Sequence, residues 1–111
     1  MTVFNSPDPK DHDTINEIKM PEATLKLRRD GIVHVTFNKN ITLDVPLQLR
    51  LLEKHIEITG GKKCPFVFDA LEGATITREA RNNAILIEDQ SPANAVAVVA
   101  DTLAYKIIAN F

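Results

Sequence analysis

The sequence has a single cysteine, Cys64, so no intramolecular disulfide can form and a disulfide-stapled scaffold is excluded. No apolar run approaches the roughly 20 residues that a membrane-spanning helix needs. No charged-then-apolar segment opens the chain, and with the lone cysteine this makes a cytoplasmic address the expectation. Excess charge of one sign is missing too. Lys and Arg number 13 against 15 Asp and Glu, a net charge of −2 with both signs interspersed, so there is no basic footprint for nucleic acid. His12, His34 and His55 share no i, i+4 spacing, which argues against a zinc pair. Gly60-Gly61 lacks the spacing and lysine placement of a phosphate loop. No repeat, low-complexity tract or cofactor signature stands out.

The sequence does hold the material for one domain. Its 111 residues allow a single modest core, and an apolar share of 44% is ordinary for a globular protein. Residues 1–21 are polar and carry Pro7, Pro9 and Pro21, so they read as an arm, with one short strand or turn near Ile15–Met20. Residues 22–111 read as the folded unit.

Leu25 and Leu27 alternate with polar neighbours, as do Val33, Val35 and Phe37, and Asp30-Gly31 lies between the two runs. That pattern predicts a β-hairpin closed by a two-residue type I′ turn. Thr42 or Asp44 then offers a helix N-cap, Pro46 suits the first turn, and Gly60-Gly61 ends the helix near Thr59. Val45, Leu49, Leu52 and Ile56 form one helical stripe, expected to face the core. Leu47, Leu51 and Ile58 form a second, nearly opposite, which implies deep burial or a partner contact; a homodimer contact is the first expectation, with cover of part of the stripe by the N-terminal arm as the alternative. Pro65–Asp69 and Ala95–Ala100 are continuously apolar, as in strands buried on both faces. Between them Thr77 caps a helix running to about Glu88, with Ala80, Ala84 and Ile87 inward. A last helix opens at Asp101 or Thr102, with Leu103, Ala104, Ile107, Ile108 and Phe111 on one face. The order ββαβαβα predicts an α/β (α+β) fold, a hairpin followed by parallel crossovers.

The segments GGKKCPFVFDALEGATITREAR (60–81) and AVAVVADTLAYKIIANF (95–111) resemble the small bacterial SpoIIAA-like proteins of the STAS superfamily. The resemblance runs from about Leu25 to Phe111. It implies a mixed sheet with helices mainly on one face, often in a dimer, and a kinship with lipid-binding CRAL-TRIO domains. Relatives usually continue past the Asn110-Phe111 position with another strand and helix, so the expectation is either that a partner covers the edge or helix face left here or that the chain is a shortened version. The phosphorylated anti-sigma-factor antagonists carry Asp-Ser where this chain reads Thr75-Ile76-Thr77.

Ligands of open α/β sheets gather at the carboxyl ends of the strands. That rule marks Asp69, Glu72, Thr75, Thr77, Asp101 and Thr102 as a recognition or phosphoacceptor edge. Thr77 at a helix start could take a phosphate, or simply cap. Asp69 and Glu72 could work as acid and base, although Asp69 more simply caps a turn. Cys64, placed before a proline, reads as an inert thiol. The first functional expectation is a non-enzymatic regulatory or interaction module. A small-molecule or lipid carrier comes second, and it would need an apolar cavity of roughly 300 Å³ or more. A phosphorylation-switched antagonist-like protein and an enzyme using Asp69, Glu72 or Asp101 complete the set.

Overall fold

The computed structural model describes residues 13–100; the expected last helix, with Asp101 and Thr102, lies outside the described residues. The alternating segments make the predicted hairpin, β2 (Ala23–Arg28) and β3 (Val33–Phe37), with Leu25 opposite Val35 and Leu27 opposite Val33. Its turn differs from the expectation. Gly31 N donates to Arg28 O and Arg28 N to Ile32 O, which closes a three-residue loop. Gly31 alone takes positive φ there, at 86°. Asp30 stays at negative φ because its carboxylate is used locally, accepting from Ile32 N at 3.2 Å and from the Arg28 guanidinium.

Within the stretch read as an arm, β1 (Thr14–Lys19) pairs antiparallel with β2 and forms one edge of the sheet. A register shift falls between Thr14 and Asn16, and Ile18, opposite Leu25, packs against the core. On the other side of the hairpin, β5 (Cys64–Ala70) runs parallel to β3, and β7 (Ala93–Ala100) parallel to β5. The result is a mixed five-stranded sheet in the order β1-β2-β3-β5-β7.

Period-two alternation sorts the sheet into two faces. The rows Leu27–Val33–Phe66–Val96 and Leu25–Val35–Phe68–Val98 cross the strands on one face. The rows Lys26–His34–Val67–Ala97 and Thr24–Thr36–Asp69–Val99 cross on the other. Leu25, Val33, Val35 and Phe66 are fully buried, each contributing about 1.5–3 kcal/mol of apolar transfer.

The first face is covered by α1 (Val45–Thr59). Asp44 is its N-cap, accepting from Leu47 N at 3.0 Å, and Gly60, at φ 64°, is its left-handed stop. The two apolar stripes of α1 are exchanged relative to the expectation. Leu47, Leu51 and Ile58, expected on a dimer surface, are each 3% exposed in the chain's own core, whereas Leu49 and Ile56 lie outside and Val45 is half-buried. Of the stripe expected inside, only Leu52 is buried. Apolar residues ring most of α1, so periodicity alone left the phase open. The sheet decides it: the burying phase also seats the His55 ring against Phe66 and Phe68, which a purely aliphatic stripe would not have suggested.

The loops that precede the two helices are joined by a short parallel ladder. In it β4 (Thr42–Leu43) pairs with β6 (Thr75–Ile76), and Asn40 N donates to Glu72 O. Thr77 caps α2 (Arg78–Leu86), accepting from Ala80 N at 3.0 Å as expected. The helix ends before Glu88, and the residues expected inward behave differently: Ala80 is buried, Ile87 is half-buried and Ala84 is exposed. The reason is where α2 is anchored. Gln48 Nε2 of α1 donates to Ala80 O at 2.8 Å, and Asn83 Nδ2 donates to Gln48 Oε1 at 2.9 Å. Both ties hold the first turns of α2 beside α1, while Ile85 and Leu86 farther along are 74% and 78% exposed. Among the described residues no helix is long and apolar enough to cross a membrane.

Candidate binding cleft

Among the described residues the side-chain ties from α2 to α1 are at Ala80 and Asn83, and an open cleft of about 1040 Å³ lies between α2, α1 and the sheet. Its floor is the helix-side face of the last strands: Phe37 of β3, Phe68 of β5, and Val96 and Val98 of β7. Leu51, Leu52 and His55 of α1 form one wall, and Arg81, Ala84 and Ile85 of α2 form the other. The floor follows from the sequence of β7, whose small and branched residues Ala95-Val-Ala-Val-Val99 suit burial, yet Val96 on this face and Val99 on the other are more than half exposed. A strand this apolar at an exposed sheet edge leaves a surface that calls for cover.

Polar groups also line it, among them Gln48, His55, Arg78, Arg81 and Glu88. His55 is 8% exposed, and its Nε2 has no hydrogen-bond partner among the described residues. Its ring lies 4.7 Å from that of Phe66 and 5.7 Å from that of Phe68. Burial without a neighbouring carboxylate lowers its pKa to about 4, so the imidazole is neutral at physiological pH. Arg81 Nε, on the opposite wall, is likewise buried without a partner among the described residues.

The edge marked out by sequence is not one site. Asp69 lies within β5 rather than capping a turn, and the strand register turns it to the helix-free face. There its Oδ2 is 3.6 Å from Nε2 of His34. Glu72 is an exposed loop residue, used through its backbone. Thr75 is exposed, and its hydroxyl meets that of Thr42 at 3.3 Å across the short ladder. Thr77 spends its hydroxyl oxygen on the cap. Thr75 and Thr77 thus share a ladder edge, and Asp69 is directed away from it. Cys64 is half-buried, and burial raises its thiol pKa. Among the described residues no group of three or more His, Cys, Asp or Glu is placed to hold a metal ion.

Sequence reasoning passed over the residues that line the cleft. Two signals pointed to them: the run Ile85-Leu86-Ile87, too apolar for a helix that buries one face, and the histidine at position 55 within an apolar stripe.

Residues 25–111 match the family described as Domain of unknown function (DUF7793), and the chain belongs to that family. No curated protein and no solved structure matches it.

Proposed function

We propose that this chain is a non-enzymatic regulatory or protein-interaction module of the SpoIIAA-like, STAS type, and that its working surface is the cleft between α1, α2 and β7. The observation that carries the reading is the lining: an open trough of about 1040 Å³ with Leu52, Phe68, Val96, Val98 and Ile85 as its apolar part, and Arg78, Arg81, Glu88 and the neutral His55 imidazole among its polar groups. Such a trough accepts the apolar face of an amphipathic helix, the helix-in-groove mode of recognition. The helices packed on one face of a mixed sheet also suit the type the resemblance implies. The homodimer expected through α1 has no interface there, because Leu47, Leu51 and Ile58 are taken up by the core. Among the described residues, the surfaces open to a second copy include the exposed sheet edges β1 and β7.

The size of the trough favours a lipid or other apolar small molecule as the second reading, since it exceeds the roughly 300 Å³ at which ligand pockets begin. A titration of the isotope-labelled full chain separates the two. A leucine–lysine amphipathic peptide in excess should shift the signals of Leu52, His55, Phe68 and Val98 saturably, and Val98→Lys should abolish the effect. Shifts produced there by a fatty acid but not by the peptide would favour the carrier. Shifts from neither would remove the cleft as the working surface.

A further inference from the structure

We propose that the partner received by the cleft is a three-turn amphipathic helix with a carboxylate at one end of its apolar face and a cationic side chain at the other. The inference rests on the reading of the cleft as a helix-receiving trough and specifies the chemistry of what it receives. Three observations carry it.

The first is the direction of the walls. β5 and β7 are parallel, so α2 leaves the carboxyl end of one and runs back to the amino end of the other. The first turn of α2 therefore stands at one end of the trough, and Glu88 stands at the opposite end.

The second is charge. Arg78 and Arg81 lie one turn apart on α2, and both line the cleft at the first end, while Glu88 lines it at the other. Among the described residues none of the three enters an ion pair. Arg81 Nε is also buried without a hydrogen-bond partner among them, and an incoming carboxylate would supply one through a charge-assisted bond. Between the two ends the floor is apolar, made by Phe68, Val96 and Val98.

The third is length. The stretch from Arg78 to Glu88 spans about 15 Å at helical rise, and the β7 lining from Ala93 to Val98 spans about 16 Å as a strand. Three turns of helix rise about 16 Å and return positions i and i+11 to the same face. A fatty acid would satisfy the arginines, but it has nothing to offer Glu88, and in an open trough one side of its chain would stay in water.

The test uses the isotope-labelled full chain and two peptides that differ in one side chain. Both carry leucines at i+4, i+7 and i+8 and a lysine at i+11; position i is glutamate in one and glutamine in the other. The glutamate peptide should bind about tenfold tighter, with shifts at Phe68 and Val98 from both. Arg81→Gln should cut that preference to less than about threefold, and Arg78→Gln, at an exposed position, should cut it in part. Glu88→Gln should weaken both peptides alike, by about two- to fivefold. Equal affinities of the two peptides for the wild type, with those shifts, overturn the carboxylate and leave the cleft reading standing. A tenfold preference that persists in both arginine variants overturns it as well, and unchanged binding in Glu88→Gln overturns the cationic end. Absence of shifts at Phe68 and Val98 from either peptide overturns the cleft reading and this inference with it. A dimer in light scattering that the glutamate peptide dissociates would assign the trough to a second copy and overturn the separate partner.

Discussion

His55 makes folding stability depend on pH in a window that can be stated in advance. Its ring is packed against Phe66 and Phe68, and burial lowers its pKa from 6.5 to about 4. Each tenfold difference in proton affinity between folded and unfolded chains corresponds to about 1.4 kcal/mol, so the full shift is worth roughly 3 kcal/mol. The sign follows from which state takes the proton. Above pH 6.5 the imidazole is neutral in both states and costs nothing. Between pH 6.5 and about 4 the unfolded chain binds a proton that the folded chain refuses, so stability falls as pH falls. Below about 4 both states are protonated and the loss is complete. Urea unfolding at pH 7.5 and at pH 4.5 should therefore show a loss of roughly 2–3 kcal/mol from this group, which is a large part of the 5–15 kcal/mol typical of a domain. Carboxylates titrate over the lower part of the same range, so the useful quantity is the difference from His55→Phe, in which their contribution cancels. The variant's stability should be flatter with pH by that amount, and the His55 ring signal of the folded wild type should not titrate above pH 5. A ring signal that titrates near 6.5, or parallel pH profiles for the two proteins, would refute the burial of this side chain.

Two further predictions test the packing. Leu51→Ala should cost about 2–5 kcal/mol in denaturant unfolding, whereas Leu49→Ala, 45% exposed, should cost less than about 1 kcal/mol. If Leu51→Ala left stability unchanged but dissolved a dimer in light scattering, α1 would have to be turned over. Gly73→Ala should cost about 1–3 kcal/mol in thermal unfolding, because Gly73 has φ 79° and a Cβ there would strike the Asn40 side chain. Gly60→Ala, at φ 64° but with open space around it, should cost only the backbone component of about 1 kcal/mol, and equal losses at the two glycines would contradict the close approach.

Local chemistry was legible where it is decided locally. Asp44 and Gly60 bound α1 because capping depends on a few consecutive residues, and Thr77 marks the start of α2 for the same reason. The hairpin strands follow from alternation. What escaped depends on distant partners. The phase of α1 is chosen by Phe66 and Phe68, which lie on another strand, and not by the helix's own pattern. The loop at Asp30-Gly31 depends on whether Asp30 uses its side chain or its backbone. The ladder of β4 and β6 is only two residues long on each side, too short for any periodicity to register. The cleft itself follows from the Gln48–Ala80 and Asn83–Gln48 bonds, which fix α2 at one end, and no feature of α2 alone announces them.

The strand order bears on how the chain is assembled during synthesis. β1, β2 and β3 are neighbours both along the chain and in the sheet, and β5 and β7 are each laid against the most recently placed strand. A chain emerging amino-terminus first can therefore close its short-range antiparallel pairs before any parallel crossover has to form. Every later strand finds its template already in place, and none has to be inserted between two others. The slow step is then each crossover in turn, and a chain halted between them is left with a paired meander and one unsatisfied parallel edge, the part of the molecule most in need of chaperone attention.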